Sequence, residues 1–134
     1  MAGGMNDKAS KAHIVIVDDD ALVGESLCDC LESAGYSAES FASAEEFWAS
    51  NSGANATCLV FDIACLILDI QLPGVSGLEL QRRLGHGTGP PVVFVTAHAT
   101  DANREIALKF GAKAFLSKPV RCQELLNAVR ESIP

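Results

Sequence analysis

Two apolar runs in this chain end abruptly on acid. Ile14-Val15-Ile16-Val17 closes on Asp18, Asp19 and Asp20, and Cys65-Leu66-Ile67-Leu68 closes on Asp69. Four β-branched residues without polar alternation belong to a strand buried on both faces, as at the centre of a parallel sheet covered by helices. In open sheets of that kind, ligands gather at the carboxyl ends of the strands. Two central strands that both stop on carboxylates therefore point to a shared acidic pocket.

Carboxylates crowded at an apolar rim repel one another and raise each other's pKa unless a cation sits among them. Mg²⁺ suits such a place, because it is held by one or two carboxylates, several waters and a phosphate oxygen. The plainer alternative is that Asp18, Asp19 and Asp20 only cap the next helix. A division in which one caps and two bind satisfies both.

Composition fits one domain. The chain has 134 residues, 49% of them hydrophobic and 20% charged, enough to bury a core and too ordered in pattern for disorder. Its apolar runs fall far short of the roughly 20 residues of a membrane span. Residues 1–11 are small and polar without the apolar core of a secretory signal, so they read as a flexible tail ahead of a domain at 12–134, and the protein as cytoplasmic. A net charge of −7 argues against direct nucleic-acid binding. Cys28, Cys30, Cys58, Cys65 and Cys122 form no CxxC pair, and His13, His86 and His98 are scattered. The expectation is buried, reduced thiols and no thiol metal site.

Strand and helix signals alternate five times. A strand at 13–17 precedes a helix at 21–34 that stops at Gly35, and residues 36–41 alternate as a strand. Ser43-Ala44-Glu45-Glu46 has the capping-box form and opens a short helix through Trp48. After a loop at 50–56, the third strand ends at Asp69; Pro73-Gly74 mark a turn, and Ser76 caps a helix with Leu78, Leu80 and Leu84. Residues 85–91 read as a turn, 92–95 as a strand, 101–110 as a helix, 113–117 as the fifth strand and 121–132 as the last helix. Such alternation means right-handed crossovers and a parallel α/β sheet covered on both faces.

On that frame Asp18, Asp19, Asp69, Thr96 and Lys118 all fall at one edge of the sheet, a set suited to phosphoryl transfer, which needs positioning and charge neutralisation. Asp69 is the candidate nucleophile, Asp18 and Asp19 the Mg²⁺ holders, and Thr96 and Lys118 the partners of the phosphoryl oxygens.

The spaced motifs Val-Asp-Asp after the first strand, Leu-Asp-Ile-Gln-Leu-Pro-Gly-Val-Ser-Gly around Asp69, Val-Thr-Ala before His98 and Ser-Lys-Pro at Ser117, Lys118 and Pro119 resemble the receiver domain of two-component response regulators. The likeness covers about residues 12–132. It implies a doubly wound five-stranded parallel sheet, the (βα)5 flavodoxin-like or CheY-like fold, in strand order 2-1-3-4-5. It implies that Asp69 is the phosphoacceptor, with Asp19 a direct ligand of Mg²⁺ (Mn²⁺ as a substitute), Asp18 acting mainly through water, and Gln71 giving its backbone carbonyl. By the same resemblance Thr96 and Lys118 contact the phosphoryl group and the Lys118-Pro119 bond is cis. Such a domain is a switch and not a turnover enzyme. A sensor histidine kinase donates the phosphoryl group, Thr96 moves inward, Phe115 fills the vacated space, and the face built from the fourth helix, fifth strand and fifth helix dimerises or docks an output. Plain core packing is the alternative for Phe115. Gln71 and His98 flank the water route to the phosphoryl group in this family, and Ala97 leaves it open to the donor. Leu78-Glu79-Leu80-Gln81 and Val95-Thr96-Ala97-His98 lean towards receivers joined to LuxR-type helix-turn-helix domains. With no room for such a domain after the last helix, the chain reads either as a single-domain regulator acting by protein contact or phosphate relay or, by a slight preference, as a piece of a longer transcription factor.

One stretch departs from that pattern. Residues 58–63 are echoed seven positions later by residues 65–70, identical at four of six places. Asp62 thus rivals Asp69, but only Asp69 is followed by a Gln-Leu-Pro-Gly loop and a helix start, which favours it. The echo is expected to lengthen the third strand or add an edge or partner contact. A haloacid-dehalogenase-like phosphatase would want a carboxylate where Gln71 stands, and a flavodoxin-like FMN carrier would want a Ser/Thr/Gly loop where Asp18, Asp19 and Asp20 would repel phosphate. A degenerate receiver, acting as a phosphorylation-independent binding module, is the main alternative.

Overall fold

The computed structural model describes residues 11–50, 63–84 and 89–133. Five strands and five helices alternate: β1 (His13–Val17), α1 (Ala21–Ser33), β2 (Ser37–Phe41), α2 (Ala44–Ser50), β3 (Cys65–Leu68), α3 (Gly77–Arg83), β4 (Val92–Thr96), α4 (Asp101–Lys109), β5 (Ala114–Ser117) and α5 (Cys122–Ser132). The strands form one parallel sheet in the order β2-β1-β3-β4-β5, as expected. Element ends lie within about two residues of those read from the sequence, the usual uncertainty of frayed termini.

Local chemistry explains the helix starts. The Asp20 carboxylate accepts from the amides of Leu22 (3.0 Å) and Val23 (3.3 Å) at the head of α1. Ser43 Oγ accepts from the Glu46 amide at 3.1 Å while Glu46 reaches back to the Ala42 amide at 3.2 Å, so the capping box holds with its return bond one residue earlier. Ser76 and Thr100 cap α3 and α4. Each such cap replaces an amide's lost water and contributes about 1 kcal/mol.

The sheet divides the apolar interior in two because side chains alternate across it. Val15, Val17, Leu66, Leu68 and Phe94 face Phe47 of α2, Leu80 of α3 and Ala107 of α4. Ile14, Ile16, Ile67, Val93 and Val95 face Leu27 and Leu31 of α1 and Leu125 and Val129 of α5. β3 is buried along its whole length and β1 from Ile14 to Val17, and each fully buried aliphatic side chain there contributes roughly 1.5–3 kcal/mol. Gln81 on α3 donates to the Ala107 carbonyl at 3.0 Å and ties α3 to α4.

The cysteines correct one expectation. Cys30 on α1 and Cys122 at the start of α5 form a disulfide, with Cα atoms 5.7 Å apart, so these two are not reduced buried thiols. Their 92-residue separation hid the pair, since the spacing signatures of cysteine motifs are local and facing helices bring distant residues together. Cys65 is a buried free thiol, its pKa pushed up to about 12 by burial, and Cys28 is free and half-buried. Of the echo, residues 58–62 lie outside the described residues, as does Asp62; Ile63 is buried just before β3.

A crosslink closing so long a loop restricts the unfolded chain. Replacing both residues by serine (Cys30→Ser with Cys122→Ser) is expected to lower the unfolding free energy by roughly 4 kcal/mol, read from urea melts of oxidised wild type and the double variant.

Candidate functional site

In-register pairing sets the site. Val17 lies opposite Leu68, so the residues that follow them, Asp18 and Asp69, leave the sheet side by side. Their backbones are pinned: the Asp18 amide donates to the Phe41 carbonyl and the Asp69 amide to the Val17 carbonyl, both at 3.0 Å. From β5, Lys118 arrives with its amide donating to the Thr96 carbonyl at 2.9 Å, and the Lys118–Pro119 bond is cis. Lys118 Nζ then donates to Asp18 Oδ2 at 2.7 Å and to Asp69 Oδ2 at 2.8 Å.

Asp18 and Asp69 are buried while Asp19 is exposed, and carboxylate oxygens of the three lie within 4.8 Å of one another. One ammonium among three carboxylates leaves surplus negative charge. Burial raises the Asp18 pKa, more than its hydrogen bonds from Lys118 and the Asp20 amide lower it, and the charge of Asp69 raises it further. Burial works against the Lys118 ammonium too, but its bonds to Asp18 and Asp69 outweigh that and the net shift is upward. Lys118 therefore stays charged, and burial is what sets Asp18 above the ordinary carboxylate range in spite of that ammonium. All three carboxylates are hard oxygen donors, gathered without thiol or imidazole, so the set fits a divalent cation such as Mg²⁺.

The remaining residues surround this centre. Thr96 is fully buried at the end of β4, its hydroxyl accepting from the His98 amide at 3.0 Å. The Gln71 amide points to Asp69 Oδ1 at 3.4 Å, and its side chain is exposed. Phe115 is buried, 5.9 Å from the Phe94 ring, and the Arg104 guanidinium sits 5.4 Å from its ring centroid.

Three features escaped the sequence reading. Lys118 bridges Asp18 as well as Asp69, and Arg104 covers Phe115; both are tertiary and leave no local signal. Gly77 is the third: a Cβ there would collide with the Asp69 carbonyl oxygen, while its amide donates to the Ile70 carbonyl at 2.8 Å. The closing glycine of the Pro-Gly-Val-Ser-Gly motif is thus a matter of space beside Asp69, and its place in that motif was the available signal.

Known proteins resemble this chain in sequence and fold. The sequence model of the family described as "Response regulator receiver domain" matches residues 14–130, and the chain belongs to that family of two-component signalling domains. Nodulation protein W of Bradyrhizobium diazoefficiens is 38% identical over 129 residues, covering 95% of this chain and 53% of that protein. Response regulator protein TodT of Pseudomonas putida is 39% identical over 130 residues, covering 96% and 53%. A crystal structure of a response regulator receiver protein from Burkholderia phymatum superposes with a TM-score of 0.73 at 38% identity, covering 92% of this chain and 99% of that one. The chain spans about half the length of the curated relatives it matches.

Two outcomes follow. Mg²⁺ at a hundredfold excess over its Kd should stabilise the fold by about 2.7 kcal/mol, seen as a raised Tm in wild type and lost in Asp19→Asn, whose exposed side chain leaves the fold intact. Gly77→Ala should cost about 2 kcal/mol or more, because the intruding methyl meets backbone and not a flexible side chain; denaturant melts measure it.

Proposed function

We propose that this domain takes a phosphoryl group from a cognate sensor histidine kinase onto Asp69 in the cytoplasm and thereby switches a partner or an output, most simply transcription. The observation that carries this reading is the Lys118 ammonium held between Asp18 and Asp69, with Asp19 beside them, at the carboxyl edge of the sheet.

One Asp69 carboxylate oxygen attacks phosphorus as the bond to the donor nitrogen breaks, which yields an acyl phosphate and a free imidazole. Asp18, Asp19, the other Asp69 oxygen and the Gln71 carbonyl would hold Mg²⁺ or Mn²⁺. Charge neutralisation at the phosphoryl oxygens is the chemistry that such a cation supplies. Lys118 already contacts Asp69 and would pair with the transferred group, and the Thr96 hydroxyl would exchange its bond from the His98 amide for one to a phosphoryl oxygen. Asp18 keeps Lys118 in reach before transfer.

A doubly charged group at Asp69 then acts on packing. As Thr96 moves, the void at the end of β4 is taken up by Phe115 from the neighbouring strand, and Arg104, which also donates to the Phe115 carbonyl at 3.5 Å, links that change to α4. The α4-β5-α5 face carries exposed Ile106 and is the surface for a homodimer or a downstream partner. The domain itself makes no nucleic-acid contact in this scheme, since its charge is −7.

Intact mass after incubation with acetyl phosphate and Mg²⁺ tests the reading. Wild type should gain about 80 Da, the mass of one phosphoryl group, and Asp69→Asn should gain nothing. An unmodified wild type, with donor kinase supplied as well, would favour a phosphorylation-independent binding module.

A further inference from the structure

The Cys30–Cys122 disulfide joins the two walls of one groove. Leu22, Val23 and Leu27 of α1 face Lys118, Pro119 and Val120 across a cleft of about 440 Å³. Cys30 continues the α1 wall by one turn, and Cys122 follows Val120 by two residues. The bond thus fastens the segment that leads from the site lysine into α5.

The far end of that segment, where α5 begins, lacks a side-chain cap. Asp20, Ser76 and Thr100 cap α1, α3 and α4 with side-chain oxygens, whereas Arg121, at the head of α5, makes no capping bond. An uncapped first turn leaves its amides to water and frays readily. Cys122 is the first residue of α5 and is exposed, and Cys30 is half-buried, so the sulfurs lie where small thiols can reach them. Among the described residues the other thiols are placed differently: Cys28 lies against Ser40, and Cys65 is buried with its pKa pushed up to about 12.

We propose that Cys30 and Cys122 are a reversible thiol–disulfide switch that fixes the start of α5, and with it the Lys118 loop, when oxidised, and frees both when reduced. The inference rests on the cytoplasmic setting of the proposed function, where disulfides are transient and serve redox sensing more often than architecture. Reduction consumes two low-molecular-weight thiols. The first thiolate attacks the exposed Cys122 sulfur and expels the Cys30 thiolate, which takes a proton; the second displaces the small molecule from Cys122 as its disulfide. Two electrons pass to the protein, and the reverse reaction with a small-molecule disulfide restores the bond.

The test needs no phosphoryl donor, so its failure is separate from failure of the phosphorylation reading. The protein is equilibrated in glutathione buffers from fully reduced to fully oxidised, the free thiols are trapped by alkylation, and peptide masses locate the pairing. Amide hydrogen exchange is followed at Leu125, whose N–H donates to the Arg121 carbonyl, and at Lys118, whose N–H donates to the Thr96 carbonyl. The expected result is a Cys30–Cys122 bond that titrates within the buffer series, with the Leu125 amide exchanging about tenfold faster or more once reduced, through local opening. The double variant Cys30→Ser with Cys122→Ser should match the reduced protein; if it does not fold, reduced wild type gives the same readout. A bond that never forms, one that pairs with Cys28 instead, one that survives the most reducing buffer, or unchanged exchange at both amides on reduction would each overturn the proposal.

Discussion

A single ammonium, that of Lys118, lies between two carboxylates that the sheet forces together. In-register pairing of β1 and β3 delivers Asp18 and Asp69 to the same point, and the apolar runs from Ile14 to Val17 and from Cys65 to Leu68 behind them give neither a polar escape. Removing Lys118 would leave two buried like charges facing each other, an arrangement far costlier than the loss of a surface ion pair. The site is therefore held by what surrounds it, and is still short of positive charge. That shortage is why the three carboxylates fit a divalent cation.

The backbone serves the same end. Asp69 is flanked by Gly77, which lets the chain after β3 pass close to the Asp69 carbonyl, and by the Lys118 amide bond to Thr96 that sets β5 at the right height. The three leading aspartates divide in place: Asp20 caps α1, while Asp18 and Asp19 lie beside Asp69 at the pocket.

Much of this was legible in the sequence because the determinants are local. The unbroken apolar runs defined buried parallel strands, their acidic ends defined the edge at which Asp18, Asp19 and Asp69 meet, and Gly35, Ser43 and Ser76 marked helix ends by their own chemistry. What was not legible depends on distant residues meeting. The Cys30–Cys122 bond joins helices 92 residues apart, the second carboxylate of Lys118 comes from the first strand, and Arg104 reaches Phe115 across a helix–strand contact. No spacing rule encodes such pairs, since they exist only once crossovers have placed the helices. The duplicated segment preceding β3 is plain in the sequence, but its first five residues lie outside those described.

The sheet also acts as a septum. Phe115 and Arg104's ring contact belong to the compartment shared by α2, α3 and α4, whereas the disulfide and the packing of α1 on α5 belong to the other. Side chains packed within one compartment touch and so couple more strongly than side chains on opposite faces of the sheet. Lys118 stands where the two compartments meet, because its ammonium reaches the carboxylates at the sheet edge while the chain after it runs into α5 on the disulfide side.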